Sequence, residues 1–151
     1  MTRRAVLAED EAFIRALILQ IVSDELLAHT WPEAMRGPLL EMQYRARMAG
    51  TKASFPEAEH EIILAGGQAA GWMVTARGDS AITLADIAVA PEYRGKGLAR
   101  AAIGELLAES KQTGKPVELQ VTLMNPAIRL YERLGFRTIG SDEVRRQMVW
   151  P

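Results

Sequence analysis

Apolar positions along this chain recur in two rhythms, and the rhythm switches several times between Arg4 and Trp150. A short apolar run, Arg4 to Ala8, comes first. Phe13, Leu17 and Ile21 then repeat every four residues, which predicts a helix from about Asp10 to Asp24 with one apolar stripe. Trp31-Pro32 and Gly37-Pro38 punctuate the next stretch, so a second helix is predicted from Pro38 to Met48, closed by Gly50. Glu61 to Ala65 and Gly71 to Thr75 are apolar runs of strand length on either side of Gly66-Gly67, and they predict an antiparallel hairpin. The next run, Ala81 to Val89, reads as a strand with a broken alternation: Ile82 and Leu84 share one parity, Ile87 and Val89 the other. Either that strand is buried on both faces, or a β-bulge near Ala85-Asp86 shifts its phase.

The clearest helix is Leu98 to Gln112, where Leu98, Ala102 and Leu106 align with Ile103 and Leu107, before Gly114 and Pro116 end it. Val117 to Leu123 alternates strictly. Strand, loop, helix and strand therefore form a βαβ unit with a parallel pair and a right-handed crossover. Asn125 suits an N-cap and Pro126 a first helical position for a short helix carrying Ala127, Leu130, Tyr131 and Leu134, which Gly135 ends. Phe136 to Ile139 and Val144 to Trp150 predict a closing antiparallel hairpin around Gly140-Ser141-Asp142. The fold class is α/β, with no repeat or Ser/Gly-rich linker to divide residues 1–151 into more than one domain.

Composition narrows the chemistry. The chain has 151 residues, 48% of them hydrophobic, so a core of ordinary size can form. A net charge of -1 argues against a nucleic-acid partner, which usually leaves a basic footprint. The absence of cysteine removes disulfides, thiolate catalysis and Cys-type zinc sites, and His29 and His60 are too far apart in sequence to suggest a metal motif. Glu9, Asp10 and Glu11 interrupt the start of the chain, so no signal peptide or membrane segment is expected, and a cytoplasmic location follows by default.

The stretch Pro91-Glu92-Tyr93-Arg94-Gly95-Lys96-Gly97-Leu98-Ala99-Arg100 joins a strand to a helix, where the first helical amides have no intrahelical partner and can take an anion. Arg94, Lys96 and Arg100 add positive charge, and Gly95 and Gly97 permit close approach. A Walker loop would need Ser or Thr after Lys96, where Gly97 stands. A dinucleotide fingerprint would need a small residue in place of Arg100.

The pattern R-x-x-G-x-A from Arg94 to Ala99, followed by Asn125-Pro126-Ala127-Ile128-Arg129-Leu130-Tyr131-Glu132-Arg133-Leu134-Gly135-Phe136, resembles the GNAT superfamily of N-acetyltransferases. The resemblance is sharp over about residues 81 to 137 and covers the chain in outline. It implies a GNAT fold: a central mixed sheet of about six to seven strands with a splayed parallel pair, flanked by about four helices. It implies acetyl-CoA as cosubstrate and no metal. The pyrophosphate would lie on the amides of Arg94, Gly95, Lys96, Gly97, Leu98, Ala99 and Arg100, and the pantetheine arm along Ile87, Ala88 and Val89. The Val89 amide would polarise the thioester carbonyl, Tyr131 would protonate the departing thiolate, and Asn125 would contact the cofactor. The step from Asn125 to Tyr131 is six residues, where many members of that family have seven.

By the same resemblance the reaction is direct transfer of an acetyl group to a primary amine of a small molecule or peptide, and a homodimer is in keeping with it. An unperturbed lysine-like amine, of pKa about 10.4, must lose a proton before it attacks. Thr83 and Gln120 stand where some members carry a glutamate, which leaves Asp86, Glu118, Glu57, Glu59 and His60 as candidate bases, or a water chain. Trp72, Tyr44 and Phe55 are candidates for an acceptor pocket, against plain packing. The missing carboxylates also keep open a non-catalytic acyl-CoA-binding or regulatory domain.

Overall fold

Seven strands form one mixed sheet in a computed structural model that describes residues 1–151. The strands are β1 (Thr2–Ala5), β2 (Glu59–Ala65), β3 (Gln68–Arg77), β4 (Ile82–Val89), β5 (Val117–Thr122), β6 (Arg137–Ser141) and β7 (Arg145–Trp150). Their order across the sheet is β1-β2-β3-β4-β5-β7-β6. Only β4 and β5 run parallel, because the helix between them carries the chain back over the sheet.

Four helices cover the two faces. On one side α1 (Glu11–Glu25) and α2 (Glu33–Ser54) cover Ile62, Trp72, Val74 and Ala88, with Ile14, Leu17, Ile18 and Val22 of α1 buried in the same core. On the other, α3 (Leu98–Thr113) and α4 (Ala127–Leu134) pack Ala102, Ile103, Leu106, Ile128 and Tyr131 against Met73, Leu84, Val117 and Leu119. No helix is long and apolar enough to cross a membrane.

The second helix differs from the sequence reading at both ends. It begins at Glu33 and runs through Pro38 and past Gly50 to Ser54. Arg36 anchors its first turn by donating to the carbonyls of Ala28 (2.9 Å) and Trp31 (3.2 Å). Pro38 gives up one backbone bond, and Gly50 costs about 1 kcal/mol of propensity. Neither penalty stops a helix that packs on α1 and sets Leu40, Tyr44 and Met48 against the core.

The broken rhythm of β4 is a bulge. Val74 pairs with Asp86 and Thr75 with Leu84, so Ala85 is the extra residue. The insertion returns Ile87 and Val89 to the face used by Ile82 and Leu84, and turns Asp86 and Ala88 towards α1 and α2. Further along the strand, Gly71 opposite Val89 lets β3 approach closely: a Cβ there would lie 2.6 Å from the Ala88 carbonyl oxygen.

Candidate active site

The bulge opens a gap in the sheet. Parallel pairing couples Ile82 with Val117, Thr83 with Glu118 and Leu84 with Leu119, and ends there, although β4 continues to Val89 and β5 to Thr122. Past Leu84, β4 bonds only to β3 and β5 only to β7. The Ala90 amide donates to Ala70 of the β3 side at 2.8 Å. Alternation along an antiparallel ladder then turns the amides of Ile87 and Val89 away from β3, into the gap. Two backbone donors therefore line an edge with no strand across from it.

The gap leads to the glycine loop. Gly95 (φ 76°) and Gly97 (φ 78°) adopt left-handed conformations that suit glycine. Tyr93 and Arg94 donate to Ala90 and Pro91, and the next amide with a backbone acceptor is that of Ala101, bonded to Gly97 at 2.9 Å. Between them the amides of Gly95, Lys96, Gly97, Leu98, Ala99 and Arg100 have no protein acceptor. They sit at the positive end of the 16-residue helix α3. Arg94 turns back to donate from Nε to the Val89 carbonyl at 3.1 Å, and Lys96 lies over the Tyr93 ring at 5.5 Å. Arg94 thus braces the loop, and the open amides are left free for an anion.

Three titratable groups gather near the bulge. Arg47 of α2 donates to both oxygens of Asp86, at 2.9 Å from Nε and 2.7 Å from a terminal nitrogen. Tyr131 of α4 is 5% exposed and packs on Phe136, with ring centroids 5.7 Å apart. Burial pushes its hydroxyl well above the ordinary tyrosine range; the Asp86 charge pushes the same way and Arg47 opposes it. Tyr131 belongs to the α3/α4 face and Asp86 to the α1/α2 face, so the gap lets groups on opposite sides of the sheet sense each other. Glu25, exposed at the end of α1, senses the same pair: desolvation raises its carboxyl, Arg47 opposes the rise, and Asp86 and Asp24 add to it.

The acetyltransferase (GNAT) family matches residues 19–136 of the sequence. This chain belongs to that family. Among solved structures, the fold is similar to PaiA N-acetyltransferase from Thermoplasma acidophilum in complex with coenzyme A, with a TM-score of 0.73 at 15% identity over 98% of this chain and 96% of that one. It is also similar to an acetyltransferase from Thermus thermophilus, with a TM-score of 0.70 at 20% identity over 100% and 97% of the two chains. In sequence, streptothricin acetyltransferase of Streptomyces lavendulae is 38% identical over 68 residues. That match covers 44% of this chain and 36% of the relative, so the chain spans about a third of that protein's length.

As a GNAT domain, the chain has the expected mixed sheet, with seven strands, one parallel pair and four helices. Ile87, Ala88, Val89 and the loop from Arg94 to Arg100 form one continuous edge leading out of the gap. Asn125 accepts a hydrogen bond from Ala127 N–H at 2.9 Å, so its side chain caps α4, although regular helix begins one residue later than the sequence suggests. Other candidates lie elsewhere. Trp72 is fully buried in the α1/α2-side core and lines no open pocket, and Tyr44 packs half-buried beside that core under Arg15. Glu59 is paired with Arg77 at 3.3 Å. Phe55, Glu57, Thr83 and Glu118 line a concavity of about 410 Å3 at the far end of the parallel pair. At about 3.3 Å per residue that end is roughly 17–20 Å from Val89. His60 packs on the Trp72 ring, centroids 5.8 Å apart, beside a second concavity. Arg47 was missed in the sequence; nothing local marks it, and only the packing of α2 over β4 brings it to Asp86.

Proposed function

We propose that this GNAT domain transfers an acetyl group from acetyl-CoA to a primary amine by direct attack, with no covalent enzyme intermediate. One observation carries the reading: a splayed parallel pair whose free β4 edge runs into six successive unpaired amides. An extended thioester arm ending in a pyrophosphate matches both halves of that surface. The amides of Gly95 to Arg100 would hold the pyrophosphate, with Lys96 and Arg100 supplying charge and Arg94 fixing the loop. The outward amides of Ile87 and Val89 would take the arm and the thioester carbonyl, stabilising the oxyanion as it forms. Tyr131 stays protonated at neutral pH and would supply a proton to the departing thiolate. Asn125 holds the start of α4 and so places Tyr131.

Juxtaposing two substrates in the gap would account for much of the rate, because direct attack on a thioester needs proximity and an oxyanion site above all. Asp86, a candidate base in the sequence, has both oxygens engaged by Arg47, and we assign the pair to shaping the acceptor side. That arrangement, with no carboxylate at Thr83 or Gln120, is what favours the alternative of a non-catalytic acyl-CoA-binding domain. Thiol release from acetyl-CoA in the presence of amines separates the two. Streptothricin and nourseothricin, named in two similar acetyltransferases, are the first acceptors to test. Amine-dependent release above the rate of hydrolysis supports transfer; tight CoA binding with no release by any amine favours the binding domain.

A further inference from the structure

Strand β4 has two phases open to it, and the open gap exists in only one. Continued without its bulge, the strand would carry Ile82, Leu84, Asp86 and Ala88 on one face, because side chains alternate strictly along a regular strand. Its parallel register with β5 would then extend, with Ala85 opposite Gln120, Asp86 opposite Val121 and Ile87 opposite Thr122. The gap would be zipped shut. The amides of Ile87 and Val89 would exchange directions with those of Asp86 and Ala88, so the outward donors at the thioester end would be lost. One residue resists that phase: it would carry the Asp86 carboxylate in among Met73, Leu84 and Val121, buried apolar side chains of the α3/α4 side, where an unpaired charge is costly.

The bulged phase turns Asp86 to the opposite face, and there Arg47 meets it. Nε donates to one carboxylate oxygen at 2.9 Å and a terminal nitrogen to the other at 2.7 Å. The Asp86 side chain is 8% exposed, and Arg47 is its one hydrogen-bond partner. A two-point contact of this kind fixes direction as well as distance. It also acts at the point where the phase turns over, since Asp86 directly follows the extra residue Ala85 and directly precedes Ile87. The guanidinium projects from a supported helix: Arg36 anchors the first turn of α2, and Leu40, Tyr44 and Met48 set it against the core. We propose that the Arg47–Asp86 pair locks β4 in its bulged phase, which makes Arg47 a positioning residue for the Val89 amide; the catalytic consequence rests on the acetyltransferase reading.

Stability alone is a poor reason for such a pair, because apolar residues of similar volume often replace a buried ion pair without loss. Discrimination between two registers is a better one. The carboxylate is excluded from one face and captured on the other, so a single pair both penalises the zipped phase and rewards the open one. Arg47 itself acts through Asp86 and the backbone. Asp86→Leu removes the penalty for entering the α3/α4-side core, and Arg47→Met removes the capture from α2. Together they leave no charge unpaired and no preference for the bulge.

The test is the double variant Arg47→Met/Asp86→Leu of the full chain, with Arg47→Lys beside it. The double variant is expected to melt at or above the wild-type temperature. Amide hydrogen exchange followed by NMR reads the phase directly. In wild type the Ile87 and Val89 amides, with no strand across from them, should exchange at least about tenfold faster than that of Ala90, which is bonded to Ala70 at 2.8 Å. In the double variant that difference should vanish, and thiol release from acetyl-CoA with n-butylamine should fall about 100-fold, the scale of losing one oxyanion donor. Arg47→Lys keeps the charge but not the two-point contact, and should fall between the two in both readouts. Should the double variant fail to fold, the Val89-to-Ala90 exchange ratio in Arg47→Lys decides, and an unchanged ratio overturns the proposal. So does a folded double variant whose Ile87 and Val89 amides exchange as in wild type, which would leave the pair a stability contact. A wild type that releases no thiol with any amine overturns the acetyltransferase reading instead, and leaves the exchange comparison standing as the test of the lock.

Discussion

Tyr131 shows how one residue combines packing with chemistry. Its ring fills the α3/α4-side core against Phe136, and its hydroxyl keeps its proton because burial disfavours the phenolate. Tyr131→Phe preserves the ring contact and removes only the hydroxyl. It is therefore expected to slow thiol release about 100-fold, while acetyl-CoA affinity by calorimetry and the melting temperature stay near wild type. Joint loss of affinity and fold would assign the residue to packing alone. Asp10 illustrates the opposite case, a charge that serves structure. It is buried, both oxygens accept from Arg4, and one also accepts from the Leu7 amide at 2.8 Å. Arg4 above all, then the Leu7 amide, holds its carboxyl from an ordinary 3.8 down to about 2. The folded value lies below the unfolded one, so ionised Asp10 stabilises the protein above the ordinary carboxylate range, and that contribution is lost as pH falls towards about 2. Thermal melts should show Asp10→Asn less stable than wild type at pH 7, with the gap closing in acid; a gap that persists to pH 2 would contradict this. At this scale the sequence was informative about residue types and silent about partners. Arg94 reads as an anion ligand beside its glycines, and only the folded loop shows its Nε turned to Val89.

Elements were legible where pattern alone decides them. The 3.6-residue period of α3, the alternation of β5 and the glycine stops at Gly114 and Gly135 all reappear in the fold. The two-phase pattern of β4 carried the bulge, but choosing between a bulge and two-sided burial required the β3 register. The limits of α2 were illegible, because tertiary packing outweighs the local penalties of Pro38 and Gly50. The same elements yield a contrasting pair of glycine variants. At Gly97 an added Cβ meets nothing, so Gly97→Ala pays only for its left-handed backbone, about 1–2 kcal/mol. It should weaken acetyl-CoA binding about tenfold by tilting the first amides of α3, and leave the sheet intact by circular dichroism. At Gly71 an added Cβ collides with the Ala88 carbonyl across the ladder. Gly71→Ala should therefore cost about 1–3 kcal/mol in urea unfolding, through overpacking of the β3–β4 ladder. If Gly97→Ala proves the more destabilising of the two, the strain has been misplaced.

Over the whole molecule, one local irregularity organises the rest. A single extra residue in β4 parts the parallel strands, turns Asp86 towards α2 and sends a free strand edge towards the N-terminus of α3. Helices on the two faces then bring side chains towards the gap from opposite directions: Arg47 from one side, Tyr131 from the other. With a net charge of -1, attraction for an anionic cosubstrate must be local to that helix N-terminus. The pyrophosphate, and not the thioester arm alone, should thus carry much of the affinity. Calorimetric titration of the intact protein with acetyl-CoA and with S-acetylpantetheine, which keeps the arm and thioester but lacks the pyrophosphate, measures this directly. Submillimolar binding of acetyl-CoA, at least about tenfold tighter than S-acetylpantetheine, is the predicted result; equal affinities, or no heat from acetyl-CoA at submillimolar concentration, would contradict it.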